Sequence, residues 1–323
     1  MEPALIEPPR RRPLDEGPAL LVVNTRSRSG REAFAQARER LAALGVSLQS
    51  SHALSTPEQL RAVLEQGIHG GVRRILVGGG DGTVSHAVGA LLGRDVTLGV
   101  LPLGTGNDFA RSLGITDSVE AACAVIARGY AARVDVGLAN GRPFLNAASV
   151  GLAAGIARRL TKRLKQRAGK LAYPVAAAAQ VRDLRPFHLR LQADTEMLEL
   201  DALQLVVGNG LFHGAGNMVA PDATLDDRLL HVYAVAAPSS EGGRTGTGLG
   251  YLQDVATLAR VALGLRTGEH PEHPSVITLR TARLYVETQP ALDVNVDGEL
   301  GCRTPVRFEV APAALRVYAP APH

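Results

Sequence analysis

Residues 75–83 read ILVGGGDGT, an apolar run that stops at three glycines and continues as Asp81, Gly82 and Thr83. Glycine in ordered backbone is entropically costly, so three in a row require a reason. Bare backbone lets N–H groups approach an anion unobstructed, and a helix starting just behind adds favourable partial charge. A carboxylate at Asp81 repels phosphate unless a divalent cation or a reacting hydroxyl lies between them. The stretch lacks the G-x-x-x-x-G-K-[ST] pattern of a P-loop. Taken alone it also fits a tight strand-to-helix turn with Asp81 as N-cap.

Working outward, 19–24 (ALLVVN) is an apolar strand followed by the polar TRSRSGR. Phe34, Ala37, Leu41 and Leu44 fall at helical spacing, and Gly45 stops that helix. A strand is expected over 46–54. Thr56-Pro57-Glu58 then opens a helix with an N-cap and a proline at its first position. The strand 74–77 leads into the glycine loop and a helix over 84–92. The strand 97–101 leads into PLGTGNDFARSLGI. Such alternation implies right-handed βαβ units around a parallel sheet. Ligands bind at the carboxyl ends of such strands, where both glycine loops and the loop after Asn24 fall.

Beyond about Asp135 the texture changes to short β-like segments: 132–138, 144–149, 188–191, 203–207, 229–234, 276–279, 282–287, 292–296 and 306–310. Helical patterning persists mainly in 152–182 and around 250–264. This predicts a second, antiparallel β domain, with 237–250 (APSSEGGRTGTGLG) as a flexible surface loop.

The chain has 323 residues, 46% hydrophobic and 20% charged, which suits one large or two ordinary globular domains. Aromatics make up only 4% and Trp is absent, so the core must be built from Leu, Val and Ala. Cys123 and Cys302 lack metal-ligand spacing and read as inert thiols of a reducing compartment. No apolar run approaches the ~20 residues that span a bilayer. Residues 1–17 read as a disordered tail and not as a signal peptide. A net charge of +4 excludes nucleic-acid binding by bulk electrostatics.

GGGDGTVSHAV followed by LPLGTGNDFARSLGI resembles the catalytic domain of the diacylglycerol kinase family, particularly its soluble bacterial lipid kinases. The resemblance begins at VVNTRSRSGR. It continues through FLNAASVGLAAGIA, GKLAYPVAA and VVGNGLFHGAGNMVAPDATLDDRLLHVY, and ends at VNVDGEL. It implies a two-domain NAD kinase/diacylglycerol kinase-like fold, with an N-terminal Rossmann-like α/β domain (18–135) and a C-terminal antiparallel β-sandwich domain (136–311). The last strand (312–323) would return to the first domain.

The same resemblance implies ATP- and Mg²⁺-dependent phosphorylation of a lipid hydroxyl, with diacylglycerol as the family default. Gly79, Gly80, Asp81, Gly82, Thr83, Val84, Ser85 and Thr105 would line the nucleotide site. Ser51, at the end of the second strand, matches a family threonine; Asn24 and Asn107 would shape the same rim. Asn107-Asp108 also reads as helix capping. In LDVNVDGE (292–299), Leu292, Val294 and Val296 alternate with Asp293, Asn295 and Asp297, as a strand demands, and Gly298 frees a turn. The family's Asp-Gly-Glu assigns Glu299 as proton acceptor, with Asp81 as the other catalytic group. In PDATLDDRLL, similar kinases hold Mg²⁺ through one Asp and backbone carbonyls, here Asp227, Thr224 and Leu229.

Between Arg158 and Lys170, bases cover one helical face and leucines the other, the pattern of an interfacial helix on anionic lipid. Expected partners are therefore ATP, a lipid, a peripheral membrane surface and a second copy in a homodimer, with no nucleic acid. The expected location is the cytoplasmic face of a membrane. Two positions depart from the family. Ser85-His86 stand where it commonly has Asn-Glu, which bears on nucleotide contacts. Arg228 replaces a glycine, which bears on the Mg²⁺ turn. His86 reads as a helix-surface residue, and His270 and His273 as loop residues. Two other functions remain open: an NAD kinase, which shares a GGDGT loop, and a non-catalytic lipid- or nucleotide-binding degenerate kinase.

Overall fold

The computed structural model describes residues 17–26, 28–116, 118–128, 130–152, 154–155, 184–214, 216–238 and 248–321. The expected tail lies outside them except for Gly17. The described chain divides into two compact units, residues 1–134 with 313–323, and 135–312.

In the first unit each apolar run is a strand and each amphipathic run a helix. The order is β1 (Ala19–Asn24), α1 (Arg28–Ala43), β2 (Leu48–Leu54), α2 (Pro57–His69), β3 (Arg74–Gly79), α3 (Asp81–Leu91), β4 (Thr97–Pro102), α4 (Asp108–Ser112) and α5 (Val119–Arg128). β2, β1, β3 and β4 lie side by side, all parallel, with Val22 level with Val77 and Val77 level with Val100. Every residue of β3 and β4 is buried, as expected of a parallel sheet covered on both faces, and this explains runs without polar alternation. α2 begins as its sequence demands: Pro57 is at the first turn and the Thr56 hydroxyl accepts the Gln59 amide at 3.3 Å. The last strand, β17 (Val306–Ala319), ends beside β4 in parallel, Val317 level with Leu98. Buried Arg74 ties it to β3, donating from Nε to the Tyr318 hydroxyl at 3.0 Å.

In the second unit, β5 (Tyr130–Ala139) enters from the first and turns back into β6 (Arg142–Phe144). β7 (Ala147–Gly151), β8 (Phe187–Ala193) and β9 (Met197–Gly208) follow, then the short pair β10 (Phe212–His213) and β11 (Asn217–Met218), and β12 (Leu230–Ala236). After α6 (Gly248–Thr267) come β13 (Val276–Thr281), β14 (Arg283–Gln289), β15 (Asp293–Val296) and β16 (Glu299–Arg303). All pairings given for this unit's strands are antiparallel. β9 is shared: its first half pairs with β8 and its second with β7, while β12 takes its other edge. β12 shows how the faces are assigned. Leu230, Val232 and Ala234 enter one core, with Leu189, Leu205, Val286, Val294 and Phe308, whereas Tyr233 and Val235 enter a second, with Val261 of α6.

Several boundaries differ from expectation: β9 starts six residues early, the expected strand 144–149 is split between β6 and β7, and α5, β10, β11 and β16 were not anticipated. α3 starts at Asp81, three residues early, because the glycine loop itself forms the first turn. Residues 248–250 of the expected loop already belong to α6, and 239–247 lie outside the described residues. The returning segment is continuous with the strand before it, both within β17, which passes Ala313 at φ 50°.

His213, Tyr233 and His270 stack in the second core, with ring centroids 6.3 and 4.9 Å apart. His270 Nε2 donates to the Val219 carbonyl at 2.9 Å, and the residue is buried in the core and not in an exposed loop. Burial, helped by the neighbouring His270, lowers the His213 pKa to about 4. Burial also lowers that of His270, against the opposing effect of the Val219 and Gly264 carbonyls. Unfolded histidine titrates near 6.5, so the unfolded chain binds these protons first. Stability is therefore complete above that value and declines as the pH falls from about 6.5 toward 4. Urea unfolding at successive pH values should show this slope above the carboxylate range, and His213→Gln should flatten it.

Candidate active site

The rim at the carboxyl ends of β1, β3 and β4 is assembled by backbone contact. A Cβ built on Gly104 would lie 2.5 Å from Gly80 Cα, and one on Gly80 would lie 3.1 Å from Gly104 Cα. No side chain larger than hydrogen fits at that crossing. The Leu103 amide donates to the Gly79 carbonyl at 2.9 Å and continues the β3–β4 ladder into the loops. At Gly79 a Cβ would strike Thr83 at 2.5 Å, and at Gly78 it would meet Val23 and Leu103. Of Gly78, Gly79, Gly80, Gly82 and Gly104, only Gly82 has open space above it. Gly82 is exposed in the first turn of α3, where N–H groups and the helix dipole favour an anion.

Side chains lock this arrangement. Asn24 Nδ2 donates to Thr83 Oγ1 at 3.0 Å and joins the end of β1 to the start of α3. Asn107 is buried in left-handed conformation at φ 51°, and its amide clamps the second loop by accepting from the Gly104 N–H at 2.8 Å and donating to its carbonyl at 3.0 Å. It makes no side-chain cap for α4. Asp81 does that from the other loop, its Oδ1 accepting the Phe109 amide at 3.3 Å. The N-cap of α3 is Gly80, so Asp81 is not the cap of its own helix. Thr105 is exposed at the loop tip, and Ser85 is half-buried on α3.

Two nucleotide candidates are placed differently. Val84 is in the core, and its N–H already donates to the Gly80 carbonyl at 3.2 Å. Ser51 lies mid-strand, level with Leu21, and not at the end of β2, where Leu54 meets Asn24. Three residues of strand put it about 10 Å short of that end. His86 is exposed, as read, and its Nδ1 donates to the Gly82 carbonyl at 2.7 Å.

In the second unit, Glu299 opens β16 after a two-residue turn. Asp297 and Gly298 have φ of 48° and 87°, the left-handed pair that matches strand twist. Asn140-Gly141, at 48° and 79°, forms the same turn between β5 and β6 and delivers Arg142 at the equivalent position. Arg142 Nη2 lies 3.3 Å from Glu299 Oε2, both side chains about half exposed. The Asp297 carboxylate accepts the amides of Leu145, Asn146 and Ala147 at 2.8, 3.0 and 3.3 Å. It anchors the hairpin and leaves Glu299 as the projecting carboxylate. Arg142 escaped the sequence reading, although Asn-Gly was a local signal for its turn.

Asp227 closes a turn. Its oxygens accept the Leu229 amide at 2.9 Å, the Thr224 amide at 3.2 Å and buried His231 Nε2 at 2.7 Å. Thr224, Asp227 and Leu229 do come together, with the amides of Thr224 and Leu229 donating to the carboxylate. No group of three or more His, Cys, Asp or Glu able to hold a metal occurs among the described residues. Arg228 sits at φ 63°, its N–H donating to buried Asp135 at 2.6 Å, which explains a glycine preference there. His231 and Asp135 gave no local sequence signal.

Arg158–Lys170 lies outside the described residues. Both cysteines are free, and burial raises the Cys123 pKa to about 11. Among the described residues no helix is long and apolar enough to cross a membrane.

The parallel α/β unit and the antiparallel sandwich unit define a two-domain NAD kinase/diacylglycerol kinase-like fold. A solved structure described as a diacylglycerol kinase from Bacillus anthracis has this fold, with a TM-score of 0.66 at 23% identity over 94% of this chain and 96% of that one. Residues 18–139 match the diacylglycerol kinase catalytic domain, and 146–246 with 249–319 match the YegS C-terminal NAD kinase beta sandwich-like domain. The chain belongs to the diacylglycerol kinase catalytic domain family. It is 34% identical over 263 residues to "Probable lipid kinase YegS-like" of Pseudomonas aeruginosa, covering 81% of each chain. It is 32% identical over 267 residues to "Diacylglycerol kinase" of Mycobacterium tuberculosis, covering 80% of this chain and 81% of that one.

Gly104→Ala should lower unfolding free energy by about 1–3 kcal/mol, because backbone must move, whereas Gly82→Ala should leave it unchanged or slightly raised. Arg228→Gly should raise it by about 1 kcal/mol by removing left-handed strain. Calorimetry of the three variants tests both expectations.

Proposed function

We propose that this chain is an ATP-dependent lipid kinase that transfers the γ-phosphoryl group to a lipid hydroxyl, with diacylglycerol yielding phosphatidic acid. The observation that carries the reading is the rim of the first unit, where two glycine loops touch and leave Gly82 open at a helix start. Family membership across both units supports it.

In this reading phosphates lie against Gly82 and the first turn of α3, with Thr105 at the opposing loop tip. Asn24 and Asn107 hold that surface in shape before ligand arrives, which is the main form of catalysis that phosphoryl transfer needs. A magnesium ion carried by the nucleotide supplies charge neutralisation when bound. Asp81 is the carboxylate that would hold it, in keeping with the one or two carboxylates such ions take. Glu299 accepts the hydroxyl proton as the lipid oxygen bonds to the γ-phosphorus and ADP leaves. Arg142 holds Glu299 in place.

The test is γ-phosphate transfer from ATP to a lipid panel in mixed micelles, with NAD as parallel acceptor. Labelled phosphatidic acid is expected. Glu299→Ala should lower kcat about 10²–10⁴-fold, and Asp81→Asn should abolish turnover. Labelled NADP would move the chain to NAD kinase chemistry. Binding of ATP or lipid without any transfer would make it a degenerate kinase.

A further inference from the structure

α6 packs Tyr251, Val255, Leu258, Val261 and Leu265 against the second core, with Asp254 and Thr257 buried on the same side. It nevertheless turns two further leucines outward. Leu252 is 61% and Leu263 76% exposed, and Ala259 between them is exposed too. Positions 252, 256, 259 and 263 recur at helical spacing, so they form one stripe about 16 Å long. Arg260 and Arg266 are exposed on either side of it, with no ion-pair partner among the described residues. The helix has one acid, Asp254, and that is inside. The outward face is therefore apolar along its middle and cationic at both flanks. Met197 and Leu300, the other exposed large apolar residues, stand singly and need no explanation.

We propose that this face of α6 docks onto an anionic bilayer. Leu252 and Leu263 enter the headgroup–acyl boundary, and Arg260 and Arg266 meet the lipid phosphates. An apolar stripe with cationic flanks is the polarity that lies in such an interface. A second copy of the chain fits less well. Symmetric pairing through this face would oppose arginine to arginine. Two leucines and two alanines also fall far short of the ~800 Å² per partner that a stable interface buries. The inference deepens the lipid-kinase reading, which requires the protein to reach a substrate held in a membrane.

The chain contains no Trp, so Leu263→Trp installs a sole fluorescent reporter at an exposed position. With vesicles of phosphatidylcholine and phosphatidylglycerol its emission should shift to the blue, and brominated lipid should quench it. Leu252→Asp with Leu263→Asp should cut vesicle co-sedimentation at least about tenfold. Arg260→Gln and Arg266→Gln should each cut it about fivefold, on anionic vesicles alone. An unchanged melting temperature shows that these variants fold, and phosphate transfer to a short-chain, water-soluble lipid should persist in all. An unshifted emission spectrum of the Leu263→Trp protein, with undiminished co-sedimentation of the aspartate variant, overturns the proposal. So does a dimer that the aspartate variant splits while vesicle binding stays the same. Absence of transfer to the soluble lipid by the unaltered protein, with the emission shift intact, defeats the kinase reading and leaves the docking surface standing.

Discussion

Gly80 and Gly104 meet backbone to backbone, and the geometry of the first unit's rim depends on that contact. Because neither residue has a Cβ, the β3 and β4 loops run against each other directly. The closure brings Leu103 to Gly79 and Asp81 to the Phe109 amide, while Asn107 clamps Gly104 from within its own loop. The first two bonds are short-range and would be lost with the loops an extra carbon–carbon distance apart. Three of the glycines in GGGDG are thus bare for the protein's own packing. Gly82 alone is bare toward open space, and it marks where an anionic ligand can approach.

The second unit uses a different device for the same purpose. Its two candidate polar groups are held by paired hairpin turns, Asn140-Gly141 and Asp297-Gly298, each with both residues left-handed. A two-residue turn of this kind fixes register, and register fixes which face the following side chain takes. Arg142 and Glu299 are therefore placed by turn chemistry and held by each other. Asp297 secures the hairpin from behind through three amides. The Asp227 turn follows the same logic, with a carboxylate organising the Thr224 and Leu229 N–H donors.

α6 stands apart because it is apolar on two faces. Local periodicity identifies a helix there but not its orientation, since apolar residues occur on both sides. Leu258, Val261 and Leu265 went inside together with Asp254 and Thr257, and the stripe from Leu252 to Leu263 was left facing out.

The amino-acid sequence alone determined most of the longer elements and their order. Strand runs such as ALLVVN, the Thr56-Pro57 helix start and the Asp-Gly turn express preferences that act over a few residues, so each was legible without its neighbours. It also showed which residue types gather at the strand ends, because a parallel sheet puts its loops there. Contacts between residues distant in sequence were decided only by tertiary structure. Gly80 on Gly104, Asp81 on Phe109, Arg142 on Glu299 and His231 on Asp227 depend on how elements pack, and no local pattern encodes them. The burial of Val84 and the mid-strand place of Ser51 were hidden for the same reason. Whether a residue beside a motif faces the ligand or the core is set by helix phase and strand register, and both are settled only when the sheet assembles.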